Sequence, residues 1–212
     1  KCQEFVELLR PHLPSFDAPI GLQANLSCPN VGLQTEELVR EADEIFSILG
    51  ELGIPLIPKV CATLPVEVAQ YLSRHSAVDA LAVTNAIPWG ALPEQINWEG
   101  LFGTKESPLA EYGGGALSGA PLFPIVRDWV TRARTTGIAK PIAAGGGIQH
   151  LWQAEQLINL GASAIELGTV FLLRPWRTRA IIDHIHHRMA QMIRKDRLCA
   201  KRRGLCVADS ER

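Results

Sequence analysis

Five short apolar runs, each closed by a polar or glycine-rich turn and most followed by a helical pattern, constrain this chain more than any other feature. They cover residues 19–24, 54–60, 80–84, 141–144 and 162–167. Strands alternating with amphipathic helices predict βαβ units and a parallel sheet covered by helices. Helices are expected over 3–10, from Thr35 to about Gly53, over 65–74, 122–136 and 149–160, in a short turn after Thr169, and over 175–197. The second opens on Thr35 as N-cap, with Glu36 and Glu37 in its first turn and a buried stripe of Leu38, Ala42, Ile45 and Leu49. The last carries Trp176, Ile181, Ile182, Ile185, Met189 and Met192 as its apolar stripe.

The turns after these runs hold the chemistry. The first run ends in Asn25-Leu26-Ser27-Cys28-Pro29-Asn30, which packs two carboxamides, a hydroxyl and a thiol onto a segment stiffened by Pro29. Carboxamides so held can present donor and acceptor together to a planar heterocycle, and a thiol between them can act as a base; the same residues can also simply make a turn around a buried cysteine. The second run carries Lys59, a charge that a strand covered on both faces holds only with an anionic partner. An acidic side chain or a cofactor would serve. The third run ends in Asn85, and Trp89 beyond it reads as a loop anchor.

A long polar loop over 91–112, suited to a lid or rim, precedes Gly113-Gly114-Gly115-Ala116-Leu117-Ser118-Gly119 and the next helix. Gly145-Gly146-Gly147 follows the fourth run and Gly168-Thr169 the fifth. Glycine turns that open helices let backbone amides meet an anion, and two successive strands show the pattern. His184, His186 and His187 do not share a helical face, and no metal site is expected there.

The hexapeptide at 25–30 resembles the active-site segment of the dihydroorotate dehydrogenase family, and the other motifs follow in family order over residues 19–190. The resemblance implies an α/β fold of the (β/α)8 TIM-barrel family, of which the chain covers about the last five strands and their helices as a partial barrel. Strand C-termini share one face of such a barrel, so Asn25, Cys28, Asn30, Lys59 and Asn85 would converge. It further implies FMN as cofactor, Cys28 as catalytic base, and Asn25, Asn30 and Asn85 as substrate-binding residues. Lys59 would lie at the flavin's N1/O2 edge, with no strand-end carboxylate on its face to pair with instead. Ser118 and Gly119 would lie near the ribityl phosphate, and Gly145, Gly146, Gly147, Gly168 and Thr169 would bind it. A bulky replacement of Gly146 should then release FMN from a chain that stays folded.

The implied function is oxidation of dihydroorotate to orotate in pyrimidine biosynthesis. A related flavin-dependent pyrimidine reductase and a truncated, non-catalytic relic of the barrel are the alternatives. A cysteine base resembles the soluble, cytoplasmic class of the family. The reading leaves room for a homo-oligomer or an electron-transfer partner subunit, and does not identify the electron acceptor.

Composition agrees with one globular domain: of 212 residues 47% are hydrophobic and 20% charged, with no apolar run long enough to span a bilayer. Five scattered cysteines without CxxC pairing argue against a disulfide framework and for a reducing cytoplasm. Residues 1–173 carry 10 basic and 18 acidic side chains, residues 174–212 carry 11 and 4, so a basic tail is expected over 190–212. A solvated helix accounts for it without nucleic acid. The chain opens on Lys1 inside a helical pattern, and a whole barrel needs roughly 250 residues, so truncation at the N-terminus, with three strands missing, is expected.

Overall fold

The computed structural model describes residues 1–26 and 35–202. All five expected strands are present: β1 (Leu22–Asn25), β2 (Leu56–Val60), β3 (Leu81–Val83), β6 (Ile142–Gly145) and β7 (Ala164–Glu166) form one parallel sheet in that order. Between β3 and β6 lies a separate antiparallel ribbon of β4 (Ile87–Pro88) and β5 (Ala116–Leu117). The strands are shorter than their apolar runs. Pro19 has no N–H for a ladder, and pairing begins where Leu22 N donates to Pro55 O at 2.8 Å.

The helices are α1 (Cys2–Leu9), α2 (Thr35–Gly50), α3 (Val66–Ser73), α4 (Trp98–Phe102), α5 (Leu122–Thr135), α6 (Leu151–Asn159), α7 (Thr169–Leu173) and α8 (Pro175–Arg202). Helices α2, α3, α5 and α6 pack side by side, with α8 against α6. In α2 the buried face is Ala42, Phe46 and Leu49, with Ile45 half-buried; Leu38 lies where side chains are not described. Helix α5 buries Leu122, Phe123, Ile125, Val126, Trp129, Val130 and Ala133. Its Trp129 indole N–H donates to Leu64 O at 3.0 Å, which ties α5 to the loop after β2.

Strand residues alternate between this helical layer and the sheet's other face. In β2, Leu56, Pro58 and Val60 are buried while Ile57 and Lys59 are half-buried. Registered neighbours in a parallel sheet point the same way, so Asn25, Lys59, Ala82, Ala143 and Ala164 share the inner face. That face is sharply concave. Gln23 Nε2 on one edge strand donates to Glu166 Oε1 on the other at 2.8 Å, across the whole sheet. Flat, four strand spacings would separate them by about 19 Å. The sheet is therefore curled like the wall of a barrel, with β1 and β7 as its edges.

The 91–112 loop contains α4, and Trp89 packs with Trp98 and Phe102 at ring-centroid distances of 4.8 and 4.9 Å, as a loop anchor would. In α8 only part of the expected stripe is covered, with Ile181 and Ile185 buried but Trp176 71% and Met192 45% exposed. A helix at the open end of the layer has a neighbour, α6, along one flank. Helix α8 continues past residue 190 to Arg202.

Candidate functional site

The polar strand ends meet at the C-terminal rim of the sheet, around a cleft of about 220 Å³. Nine residues singled out from the sequence line it: Lys59, Asn85, Ser118, Gly119, Gly145, Gly146 and Gly147 at the end of β6, and Gly168 with Thr169. Asn25 joins them through Asn85, whose Nδ2 donates to Asn25 Oδ1 at 2.6 Å. Cys28 and Asn30 lie outside the described residues. Gly113, Gly114 and Gly115 have φ of 85°, 93° and 68° and turn the chain into β5, so it is the Ser118-Gly119 end of that loop that reaches the cleft.

Lys59 departs from expectation. Its Nζ lies 2.6 Å from Glu166 Oε2, with 19% and 29% of the two side chains exposed, so a strand-end carboxylate on the same face does pair with it. Glu166 is two residues after Ala164 and shares its face, but stands three strands from Lys59. About 14 Å would separate those strands in a flat sheet. Curvature makes the pair, and a linear reading of apolar runs carries no curvature.

The glycines divide into two kinds. A Cβ on Gly145 would lie 2.7 Å from Glu166 Cβ, one on Gly146 2.8 Å from Thr84 Cγ2, and one on Gly147 2.3 Å from Phe123 N. These three seat β6 against β7 and α5, so a bulky residue at Gly146, which also has φ of 115°, disturbs the fold itself. Gly168 is different: it lines the cleft with negative φ, and a Cβ there meets no protein atom within 4 Å. Bare backbone faces open space at the start of α7, where leading amides lack partners within the helix. A phosphate-sized anion fits that arrangement.

Thr84 was not anticipated. It is buried beside the cleft, where its Oγ1 accepts from Ala62 N at 2.7 Å and lies 2.9 Å from Asn85 O, holding the turn that presents Asn85. A threonine closing an apolar strand carries no signal of that role.

Elsewhere, His184 Nε2 pairs with Glu155 at 2.7 Å. Among the described residues no three His, Cys, Asp or Glu side chains form a group that could hold a metal, and no helix is long and apolar enough to cross a membrane.

A curled parallel sheet, helices on its convex side and a glycine-lined cleft at its strand C-termini define part of a (β/α)8 barrel. The dihydroorotate dehydrogenase of Eimeria tenella has this fold: its ligand-free structure superposes with a TM-score of 0.63 at 23% identity, over 91% of this chain and 56% of that one. Its complex with ferulenol gives 0.62 at 22%, over 90% and 55%.

Sequence relatives carry the same likeness. The catalytic subunit of dihydroorotate dehydrogenase B (NAD(+)) from Geotalea uraniireducens is 30% identical over 187 residues, 85% of this chain and 57% of the relative. The corresponding subunit from Desulforamulus reducens is 27% identical over 181 residues, 82% and 56%. No protein-family model matches the chain. The chain is similar to these catalytic subunits of dihydroorotate dehydrogenase B, and spans a little over half of their length.

Proposed function

We propose that this chain forms part of an FMN-dependent enzyme that oxidises dihydroorotate to orotate. The observation that carries the reading is the single cleft shared by Lys59, Asn85 and two glycine turns from separate strands. Bound FMN supplies the hydride acceptor for the substrate's C6 hydride. The turns after β6 and β7 hold its phosphate through backbone amides and helix N-termini, Ser118 and Gly119 flank the ribityl chain, and Lys59 stands at the ring edge that becomes electron-rich on reduction.

Asn25, Asn30 and Asn85 clamp the pyrimidine through carboxamide donors and acceptors, and the bond from Asn85 to Asn25 sets how those two are turned toward the ring. Cys28 takes the C5 proton. Its placement rests on the hexapeptide Asn25-Leu26-Ser27-Cys28-Pro29-Asn30 and its family resemblance. The relatives are named catalytic subunits, which supports an electron-transfer partner subunit here as well.

Anaerobic addition of dihydroorotate to the purified protein tests this. A yellow protein with a flavin spectrum that bleaches with dihydroorotate, and not with dihydrouracil, is expected. Bleaching by dihydrouracil alone would make it a reductase of another pyrimidine, and a colourless protein that takes up no FMN would remove the cofactor.

A further inference from the structure

We propose that Glu166 is a positioning residue that holds the Lys59 ammonium and offsets its charge, keeping the reduction potential of bound flavin lower than the lysine alone would set. The inference rests on the flavin reading above. Among the described residues lining the cleft, Lys59 and Glu166 are the two with charged side chains, and they are in contact at 2.6 Å. The other carboxylate oxygen is engaged as well, by Gln23 Nε2 at 2.8 Å. Glu166 is thus tied down from β1 and from β2 at once, and cannot swing away without breaking both contacts.

The electrostatic consequence has a definite sign. A cation beside the flavin ring favours the electron-rich reduced form and raises its potential, whereas a carboxylate in contact with that cation cancels much of its field. Both side chains are largely shielded from water, where such fields are least screened. The cleft wall is then neutral in its side chains, which leaves attraction of the phosphate to the backbone amides of the glycine turns. A flavin held at lower potential passes its electrons to a weaker oxidant.

Glu166→Gln keeps the shape and can still accept from Gln23 while removing the charge. Equilibrium reduction of the FMN-bound protein against a reference dye should show a potential shifted positive in Glu166→Gln. Glu166→Asp, whose carboxylate falls short of Lys59, should show a smaller positive shift. A merely structural role would lower thermal stability in both variants and leave the potential where it was. Flavin bound with an unchanged or more negative potential in either variant overturns the proposal but not the cofactor assignment. A parent protein that takes up no FMN overturns both.

Discussion

Asn85 donates its side-chain amide to Asn25 Oδ1 at 2.6 Å, joining the end of β3 to the end of β1 across 60 positions of sequence. The bond spans over β2, whose Lys59 lies in register with Asn25. It occupies the Asn25 oxygen as an acceptor and fixes how the two carboxamides are turned. Under the proposed function Asn85→Ala loses one clamp residue and releases the other from its set orientation. Orotate affinity, read from the flavin absorbance change, should fall about 10–100-fold, the equivalent of one or two good hydrogen bonds. Unchanged orotate affinity in that variant would place both residues outside the substrate site.

Gly168 and Gly147 separate ligand binding from folding. Gly168→Val adds atoms to the open side of the cleft, where a Cβ has no protein neighbour within 4 Å. It should weaken FMN retention on the order of 10-fold or more with little change in the unfolding midpoint. Gly147→Ala instead drives a methyl against Phe123 N from a backbone with φ of 74°. The conformational strain alone costs on the order of 1–3 kcal/mol. Equal losses of stability in the two variants, measured by chemical denaturation, would show that Gly168 is kept for packing.

The contrast between these glycines also marks how far the sequence was legible. The strands could be read because each apolar run carries, at or near its end, a residue that a buried strand rarely holds: Asn25, Lys59, Asn85, Gly145, Gly168. Helix α5 was legible from its stripe around Ile125, Trp129 and Val130, which is buried as expected. The Lys59–Glu166 pair was not, because it depends on how tightly the sheet curls, and Glu166 looks like any residue of an alternating strand. Nor was the β4–β5 ribbon, whose two-residue strands are too short to show a period of two. The reason for each glycine was equally hidden. Sequence shows a glycine, while only neighbouring atoms show whether backbone or open space requires it.

Arg134 predicts a stability effect away from the cleft. Its guanidinium donates to Gly161 O at 2.7 and 3.1 Å, to Ile138 O at 2.5 Å and to Lys140 O at 2.9 Å, which fastens the end of α5 to the turns before β6 and β7. Burial pushes its pKa below the ordinary arginine value, yet a guanidinium stays charged at any working pH. Arg134→Met removes the donors from three carbonyls and should cost about 1–3 kcal/mol for each acceptor left dry, less where water reaches it. Arg134→Lys should recover only part, since one ammonium cannot reproduce the planar fork. Urea midpoints of the three proteins decide this: a lysine variant as stable as the parent would mean that charge alone suffices.

The last prediction concerns Cys28 as the base. An unperturbed thiol with a pKa of about 8.5 is mostly protonated at neutral pH, so flavin reduction by dihydroorotate should quicken as pH rises through the thiol's own pKa. The pH profile of Cys28→Ala should lack that rise. Because its role is kinetic, Cys28→Ala should keep FMN and still bind orotate, since Asn25, Asn30 and Asn85 remain. The rate of flavin reduction should fall on the order of 10²-fold or more, the loss typical of removing a general base. Cys28→Ser should be intermediate at best, as a hydroxyl is a far weaker acid and needs a relay to shed its proton. Orotate affinity controls for collapse of the clamp, because a variant that loses both binding and rate has lost its turn and not its base. Stopped-flow reduction then decides the matter: an alanine variant within a few-fold of the parent, with the same pH profile, leaves Cys28 as packing.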